Sequence, residues 1–389
     1  MEQPRAKLAG ALQAIFRRWS TLALGPRLAI VLGCLLPTIA MWWLAVDYQI
    51  WIVPACLALL LVFFLPRRQR NPGWRERIAH RLFLVVLRSI CLFAIVALLF
   101  TAFAAGVSQQ TVSPHVRKNS VTRSRQASDF GTQRETSTLK VLTLNLAHGR
   151  ANGFHQAMQS KEAIRQNLRR IAAMLEREKP IIVALQEADG PSLWSGGFDH
   201  VSYLAEKASF DSFARAEHVR AWRMSYGTAM LSQAEILLAE SFTFDPMPPL
   251  MPKGFLTTRI AWPGKPDLQV DVVSVHLDFS LSANRRRQVR RMIAELDPRG
   301  RPLIVMGDFN CDFMARRSAL SELAEALDLQ AYEQDSTQMA TFALTRKRID
   351  WILISRDLAF VSHQTLPDEL SDHFAVTAEL RLVTGTSQR

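Results

Sequence analysis

Cysteine is scarce in this chain. Four occur in 389 residues, and none has the Cys-x-x-Cys or Cys/His spacing of a zinc site, which argues against zinc. Cys34, Cys56 and Cys91 stand in apolar runs, and only Cys311 falls beyond residue 138. The C-terminal part therefore has no internal disulfide, which permits an oxidising compartment without requiring one. Acidic residues are almost missing from the first 138 positions, five against 17 basic. Beyond residue 138 the balance is 47 − 17 = 30 basic against 35 − 5 = 30 acidic. The net charge of +12 thus belongs to the N-terminal third, and it is no nucleic-acid footprint on the rest. No internal repeat is present either, which excludes a solenoid or propeller.

What the N-terminal third does have is apolar length. Runs at 28–46, 50–65 and 82–105 read as about three transmembrane helices, the second slightly short. Pro37 and Pro54 kink such helices tolerably, and Arg88 near the start of the third can snorkel. Trp42, Trp43, Tyr48 and Trp51 flank the 47–49 turn as an interfacial belt. Arginines cluster before residue 28 and over 66–81 and avoid the 47–49 turn, so the positive-inside rule puts the N-terminus in the cytoplasm. Three crossings leave everything after residue 105 outside it. The expectation is a multi-pass inner or plasma membrane protein with its catalytic part extracytoplasmic and the lipid bilayer as a partner.

Residues 106–138 are rich in Ser, Thr, Gln and Arg and read as a flexible linker rather than a folded element. From 139 to 389 the pattern becomes strands alternating with helices. Buried strands are expected at 139–146, 181–186, 268–276, 303–309 and 349–355, and helices at 161–177, 285–296 and 318–327. Many strands with few helices suggest an α/β fold of two sheets packed face to face with helices outside. The stretch 246–255, Pro-Met-Pro-Pro-Leu-Met-Pro-Lys-Gly-Phe, reads first as a loop packed over the core and second as one meeting lipid or an apolar substrate tail.

Short polar motifs then ride on the apolar runs in a fixed order. They are Leu-Thr-Leu-Asn at 142–145, Ala-Leu-Gln-Glu at 184–187, Val-Ser-Val-His at 273–276, Gly-Asp-Phe-Asn at 307–310, Arg-Ile-Asp-Trp at 348–351 and Ser-Asp-His at 371–373. Glu187 ends an apolar run, where a buried carboxylate needs a partner. Asp308 and Asn310 are two apart, so on an extended strand end they point the same way. The donors are mostly oxygen, which suits Mg²⁺, with Mn²⁺ as the alternative, over zinc. Two histidines and an amide remain to meet a phosphate, the set that hydrolysis of a phosphate ester needs.

That order of motifs resembles the endonuclease/exonuclease/phosphatase superfamily with its DNase I-like fold, over roughly 139–384. The resemblance implies a four-layer α/β/β/α sandwich in a membrane-anchored, bacterial-type member. It further implies that Glu187 is the principal Mg²⁺ ligand, with Asn145 and Asp372 completing the metal environment. His276 would lie beside the leaving group, Asp308 would orient the attacking water and Asn310 would hold a phosphate oxygen. Asp350 would keep His373 charged toward the phosphate. Tyr226 opens Tyr-Gly-Thr-Ala-Met-Leu-Ser, similar to the family's Gly-Asn-Ala-Ile-Leu-Ser strand, and is placed with the substrate. Thr228 replaces the usual Asn, a departure that bears on substrate contacts. Arg285-Arg-Arg-Gln288 resembles a helix of sphingomyelinase-like and bacterial members with a structural role.

The function expected is Mg²⁺-dependent hydrolysis of phosphoric esters, lipid-linked or small ones ahead of DNA or RNA, because a backbone-tracking nuclease generally needs a basic surface. A catalytically dead binding module is the reading from another class, and the presence of Glu187, Asp308 and His373 counts against it.

Overall fold

In the computed structural model the described residues are 115–118, by backbone alone, and 138–383 apart from 222, 247–249, 316, 317 and 337. The three apolar runs lie outside them. Among the described residues no helix is long and apolar enough to cross a membrane.

The unit spanning these residues is built on thirteen strands. β1 (His115–Lys118), β2 (Thr138–Asn145), β3 (Ile182–Asp189), β4 (Ser212–Ala221), β5 (Met224–Ser232), β12 (Leu358–Thr365) and β13 (Val376–Leu382) form one sheet, in the order β1-β4-β5-β3-β2-β13-β12. β6 (Ile236–Thr243), β7 (Gly254–Trp262), β8 (Lys265–His276), β9 (Leu303–Asp308), β10 (Leu329–Ala331) and β11 (Asp350–Ser355) form the other, in the order β10-β11-β9-β8-β7-β6. Each sheet has one parallel pair near its centre, β2 with β3 and β8 with β9. β1 lies within the stretch expected to be linker, where it pairs antiparallel with β4 along the sheet edge. That composition offers few large apolar side chains, so backbone pairing is what orders it.

Period-two alternation sorts the side chains into layers. Leu142 and Leu144 of β2 face outward onto α1 (Lys161–Glu178) and α2 (His200–Lys207). Leu139 and Val141 face inward, onto Val270, Val272, Ile304, Met306, Ile352 and Ile354 of the opposite sheet. Val273, Val275 and Val305 face outward on that sheet, onto α3 (Ser282–Leu296) and α4 (Ala319–Ala326). Three cores separate four layers, helices on sheet on sheet on helices. Each fully buried Leu, Ile or Val contributes about 1.5–3 kcal/mol, which is what holds two twisted sheets face to face.

α1 starts at Ser160, whose Oγ accepts from Ala163 N at 3.1 Å, and stops at Lys179 in a left-handed conformation. Its inward stripe is Ile164, Leu168, Ile171 and Leu175, the face expected from the sequence. Of the 246–255 stretch, Met251, Lys253 and Phe255 are buried.

Candidate functional site

The layer between the sheets is apolar at one end and polar at the other. On the inward positions of β2 the run is Leu139, Val141, Thr143, Asn145. On β8 it is Val270, Val272, Ser274, His276, and on β9 it is Ile304, Met306, Asp308. Gln186 crosses the gap by donating to Ser274 Oγ at 3.1 Å, and Ser274 in turn donates to Leu185 O at 3.0 Å. The site is therefore the last rung of the inter-sheet core, where the alternation continues but the side chains change from aliphatic to ionisable.

Three of its members stand side by side. His276 pairs in register with Asp308, and Asp308 with Asp350, on adjacent strands β8, β9 and β11. Gly307 permits this approach: it has φ +148°, and a Cβ on it would come within 2.0 Å of Val275 O. Asn145 Nδ2 donates to Asp308 Oδ2 at 3.1 Å and joins the two sheets, while its Oδ1 accepts from Ala147 N at 2.9 Å. Asn310, at φ 52°, donates its backbone N–H to Asp308 Oδ1 at 2.9 Å and its Nδ2 to Leu277 O at 3.0 Å.

His373 closes the group from the turn before β13. Its Nδ1 lies 2.9 Å from Asp350 Oδ2, and its Nε2 lies 3.9 Å from Asp308 Oδ2. Burial disfavours a charged imidazole, but Asp350 and then Asp308 outweigh it and push His373 up to about 10. Burial pushes Asp308 up to about 7, partly offset by His373, which leaves a carboxyl poised to exchange a proton near neutrality. His276 goes the other way. Burial, then the neighbouring Lys253 ammonium and His373, hold it well below the usual histidine range.

Glu187 reaches the cleft by a different device. Strict alternation from Leu185 would turn it toward the helices. A bulge interrupts the β3–β5 pairing between Leu185 and Ala188, and Glu187 takes φ 47° there, so its side chain is re-aimed. Its Oε2 stands 3.4 Å from His148 Nε2 and its Oε1 3.9 Å from Lys253 Nζ. Both separations exceed an ordinary hydrogen bond, so its lone pairs stay available to a cation.

Several residues here were not singled out in the sequence. His148, at φ 54°, is buried with Nδ1 2.7 Å from Asp189 Oδ1, and Asp189 also accepts from Trp194 Nε1 at 2.9 Å. The chain Asp189–His148–Glu187 repeats the atom order of Asp350–His373–Asp308 on the other sheet. Lys253 is buried, with Nζ 3.1 Å from His276 Nε2. The Asn145-Leu-Ala-His148-Gly spacing offered a signal for His148; nothing in the 246–255 stretch marked Lys253.

Two expected placements change. The Asp372 carboxylate is engaged by Arg150: its Oδ2 is 2.6 Å from Arg150 Nη2, an ion pair that a metal would have to break. Tyr226 is buried, its ring edge-on to His148 at 5.0 Å between centroids, so it packs under the site. Thr228 is likewise fully buried and 2.9 Å from His218 Nε2. Arg285 and Gln288 do act structurally: Arg285 donates to the carbonyls of Asp278 and Phe279 at 3.0 and 2.9 Å, and Gln288 Oε1 accepts from Asp278 N at 2.8 Å. They fix the loop that follows His276.

Ligand atoms of Asp308, Asp350 and His373 lie within 4.8 Å of one another, so this trio could hold a metal. The chemistry of the set divides it, since a charged His373 donates and cannot ligate. The oxygens of Glu187 and Asn145 fit a hard divalent cation better.

The family model described as the endonuclease/exonuclease/phosphatase family matches residues 142–373. Among solved structures, an endonuclease/exonuclease/phosphatase from Beutenbergia cavernae is 21% identical, covering 63% of this chain and 72% of that one with a TM-score of 0.50. A functionally unknown conserved protein from Enterococcus faecalis is 18% identical, over 63% and 100%, with a TM-score of 0.49. A mannosyl-6-phosphatase from Bacteroides thetaiotaomicron is 17% identical, over 62% and 99%, with a TM-score of 0.46. No match to a curated protein is found.

Proposed function

Because the chain belongs to the endonuclease/exonuclease/phosphatase family, a family of phosphoric-ester hydrolases, we propose that it is a Mg²⁺-dependent hydrolase held at a membrane by its N-terminal third. On this reading it acts outside the cytoplasm on lipid-linked or small phosphoesters, with DNA or RNA as the alternative substrate. The observation that carries the hydrolase reading is Asp308 held between Asn145, His276 and His373 at the polar end of the inter-sheet layer.

The roles follow from the contacts. Asp308, raised toward neutrality by burial, accepts a proton from a water aligned on a phosphorus atom. Asn145 and the Asn310 N–H hold that carboxylate in place. His373, kept charged by Asp350, presents a cation to the phosphoryl oxygens. Glu187, with the side-chain oxygen of Asn145, would hold the metal. A bound Mg²⁺ would supply Lewis-acid neutralisation of the phosphoryl charge.

The test is a substrate panel on the full chain in detergent, with bis(4-nitrophenyl) phosphate, plasmid DNA, RNA, phospholipids and polyprenyl phosphates, with Mg²⁺ and with EDTA. Metal-dependent turnover of a phosphoester supports the reading. Turnover of plasmid DNA alone overturns the substrate preference, and turnover that survives EDTA overturns the metal.

A further inference from the structure

Ten large apolar side chains are exposed among the described residues, and six of them stand at one end of the unit. Phe154 and Met158 follow β2, Leu193 follows β3, Leu281 follows β8 and Met314 follows β9, while Leu344 tips the turn before β11. These are the strand ends that carry Asn145, Glu187, His276, Asp308 and Asp350. The other four exposed apolar residues lie on or beyond the outer strands β6, β12 and β13.

The tips are tied to the site and to one another. Arg150 donates to Gly153 O at 3.0 Å and pairs with Asp372, and Asp372 O accepts from Ala343 N at 2.9 Å. The loops of Phe154 and Leu344 therefore meet beside His373. Leu193 N donates to Arg223 O at 2.8 Å. Exposed bases stand close to two of the tips: Arg346 and Lys347 follow Leu344, and Arg223 adjoins Leu193 through that hydrogen bond. No acidic side chain is exposed in the segments 150–160, 190–198, 279–283, 312–315 or 342–347. The exposed acids Glu333 and Asp335 stand earlier in the β10–β11 connection that ends in Leu344, Arg346 and Lys347, and Glu369 stands in the loop before β13. The tips themselves are thus apolar, with bases beside two of them, although residues 139–389 carry no net charge.

We propose that this rim docks onto an anionic lipid bilayer, so that the cleft takes phosphoesters presented at a membrane surface. Apolar tips flanked by bases match the boundary between acyl chains and anionic head groups. A phosphate backbone would engage the bases and leave the tips in water, which favours lipid over nucleic acid. The course of the chain agrees. His115 pairs with Arg215 and Lys118 with Ser212, so the chain comes into β1 from the side of Arg223, at the cleft end. The third apolar run of the sequence closes at residue 105, ten residues before His115. The substrate class rests on the hydrolase reading; the docking does not.

The test places a fluorophore on single cysteines in the full chain, with its four native cysteines replaced by alanine. Leu344→Cys and Phe154→Cys report the rim, and Leu238→Cys and Val361→Cys the outer strands. The protein is held in nanodiscs of brominated phosphatidylcholine, with or without phosphatidylglycerol. Quenching should be strong at both rim positions, weak at both outer ones, and greater with phosphatidylglycerol. Arg346→Gln together with Lys347→Gln should abolish that increment. Equal quenching at rim and outer positions, or none at the rim, overturns the proposal. So does a rim signal that responds to plasmid DNA and not to anionic lipid. Hydrolysis of bis(4-nitrophenyl) phosphate by the same proteins reads the hydrolase proposal separately, because quenching needs no turnover.

Discussion

Asp308 and Asp350 are direct partners across β9 and β11, and the imidazole of His373 stands 2.9 Å from the second and 3.9 Å from the first. Two buried carboxylates side by side repel unless a cation or a proton lies between them. Here Asp350 anchors the cation, and Asp308 is left with a proton affinity near neutrality. Asp308→Asn keeps the shape and removes the base. It should lower kcat/KM for bis(4-nitrophenyl) phosphate by roughly 10²–10⁴, with an unchanged circular dichroism spectrum. Activity within a few-fold of wild type would remove Asp308 from the chemistry.

The same group sets a pH dependence of stability. His373 titrates at about 10 when folded and near 6.5 when unfolded. Between those values the native state holds a proton that the unfolded state has lost, so stability declines as pH rises. The contribution is complete below pH 6.5 and gone above 10. Thermal midpoints in EDTA should therefore fall from pH 7 to pH 10 in the wild type, and fall less in Asp350→Asn, where the cation has lost its partner. Parallel curves for the two proteins would contradict the assignment.

Much of this was legible in the sequence because the inter-sheet face and the chemistry share one period. Asn145, His276, Asp308 and Asp350 occupy inward positions of runs whose other inward residues are aliphatic or, as with Thr143 and Ser274, small hydroxyls, so a strand reading aims them correctly. Glu187 was found by its motif but not by its period, since the bulge that turns it exists only through β5. Lys253, Arg150 and Asp189 were missed for another reason: their partners lie 23, 222 and 41 residues away, and no local pattern encodes a long-range pair. Asp372 illustrates the same limit. It adjoins His373 in sequence, yet its carboxylate is claimed by Arg150, a residue of the loop after β2.

His148 gives a prediction about metal. Its contacts with Asp189 and Glu187 orient the carboxylate from behind, as partners of ligating groups do. His148→Asn should weaken Mg²⁺ or Mn²⁺ binding by about 10–100-fold in isothermal titration calorimetry, and excess metal should restore most of kcat. Undiminished metal affinity would mean that His148 serves only the packing of Tyr226 and Trp194.

Gly307 ties stability to the site. Any side chain there meets the Val275 carbonyl, so β8 and β9 must separate where His276 and Asp308 pair. Gly307→Ala should cost about 2–4 kcal/mol in urea unfolding and reduce hydrolysis in the fraction that folds. A variant as stable as wild type would show that the strands part without strain.

Lys253 separates stability from activity. A buried ammonium is costly to desolvate, and exchange for an apolar side chain of similar length is often neutral or stabilising. The same charge lies 3.1 Å from His276 Nε2 and 3.9 Å from Glu187 Oε1, at the edge of the space where phosphoryl charge would develop. Lys253→Met should therefore melt no lower than wild type, while kcat/KM for the diester falls by roughly 10²–10³, the scale for losing one preorganised charge contact. Lys253→Arg should restore little, because the planar guanidinium cannot take the place of a compact ammonium in a buried slot. Joint loss of melting temperature and activity would reverse the reading, making Lys253 a strut of the β7–β8 hairpin whose charge is incidental to catalysis.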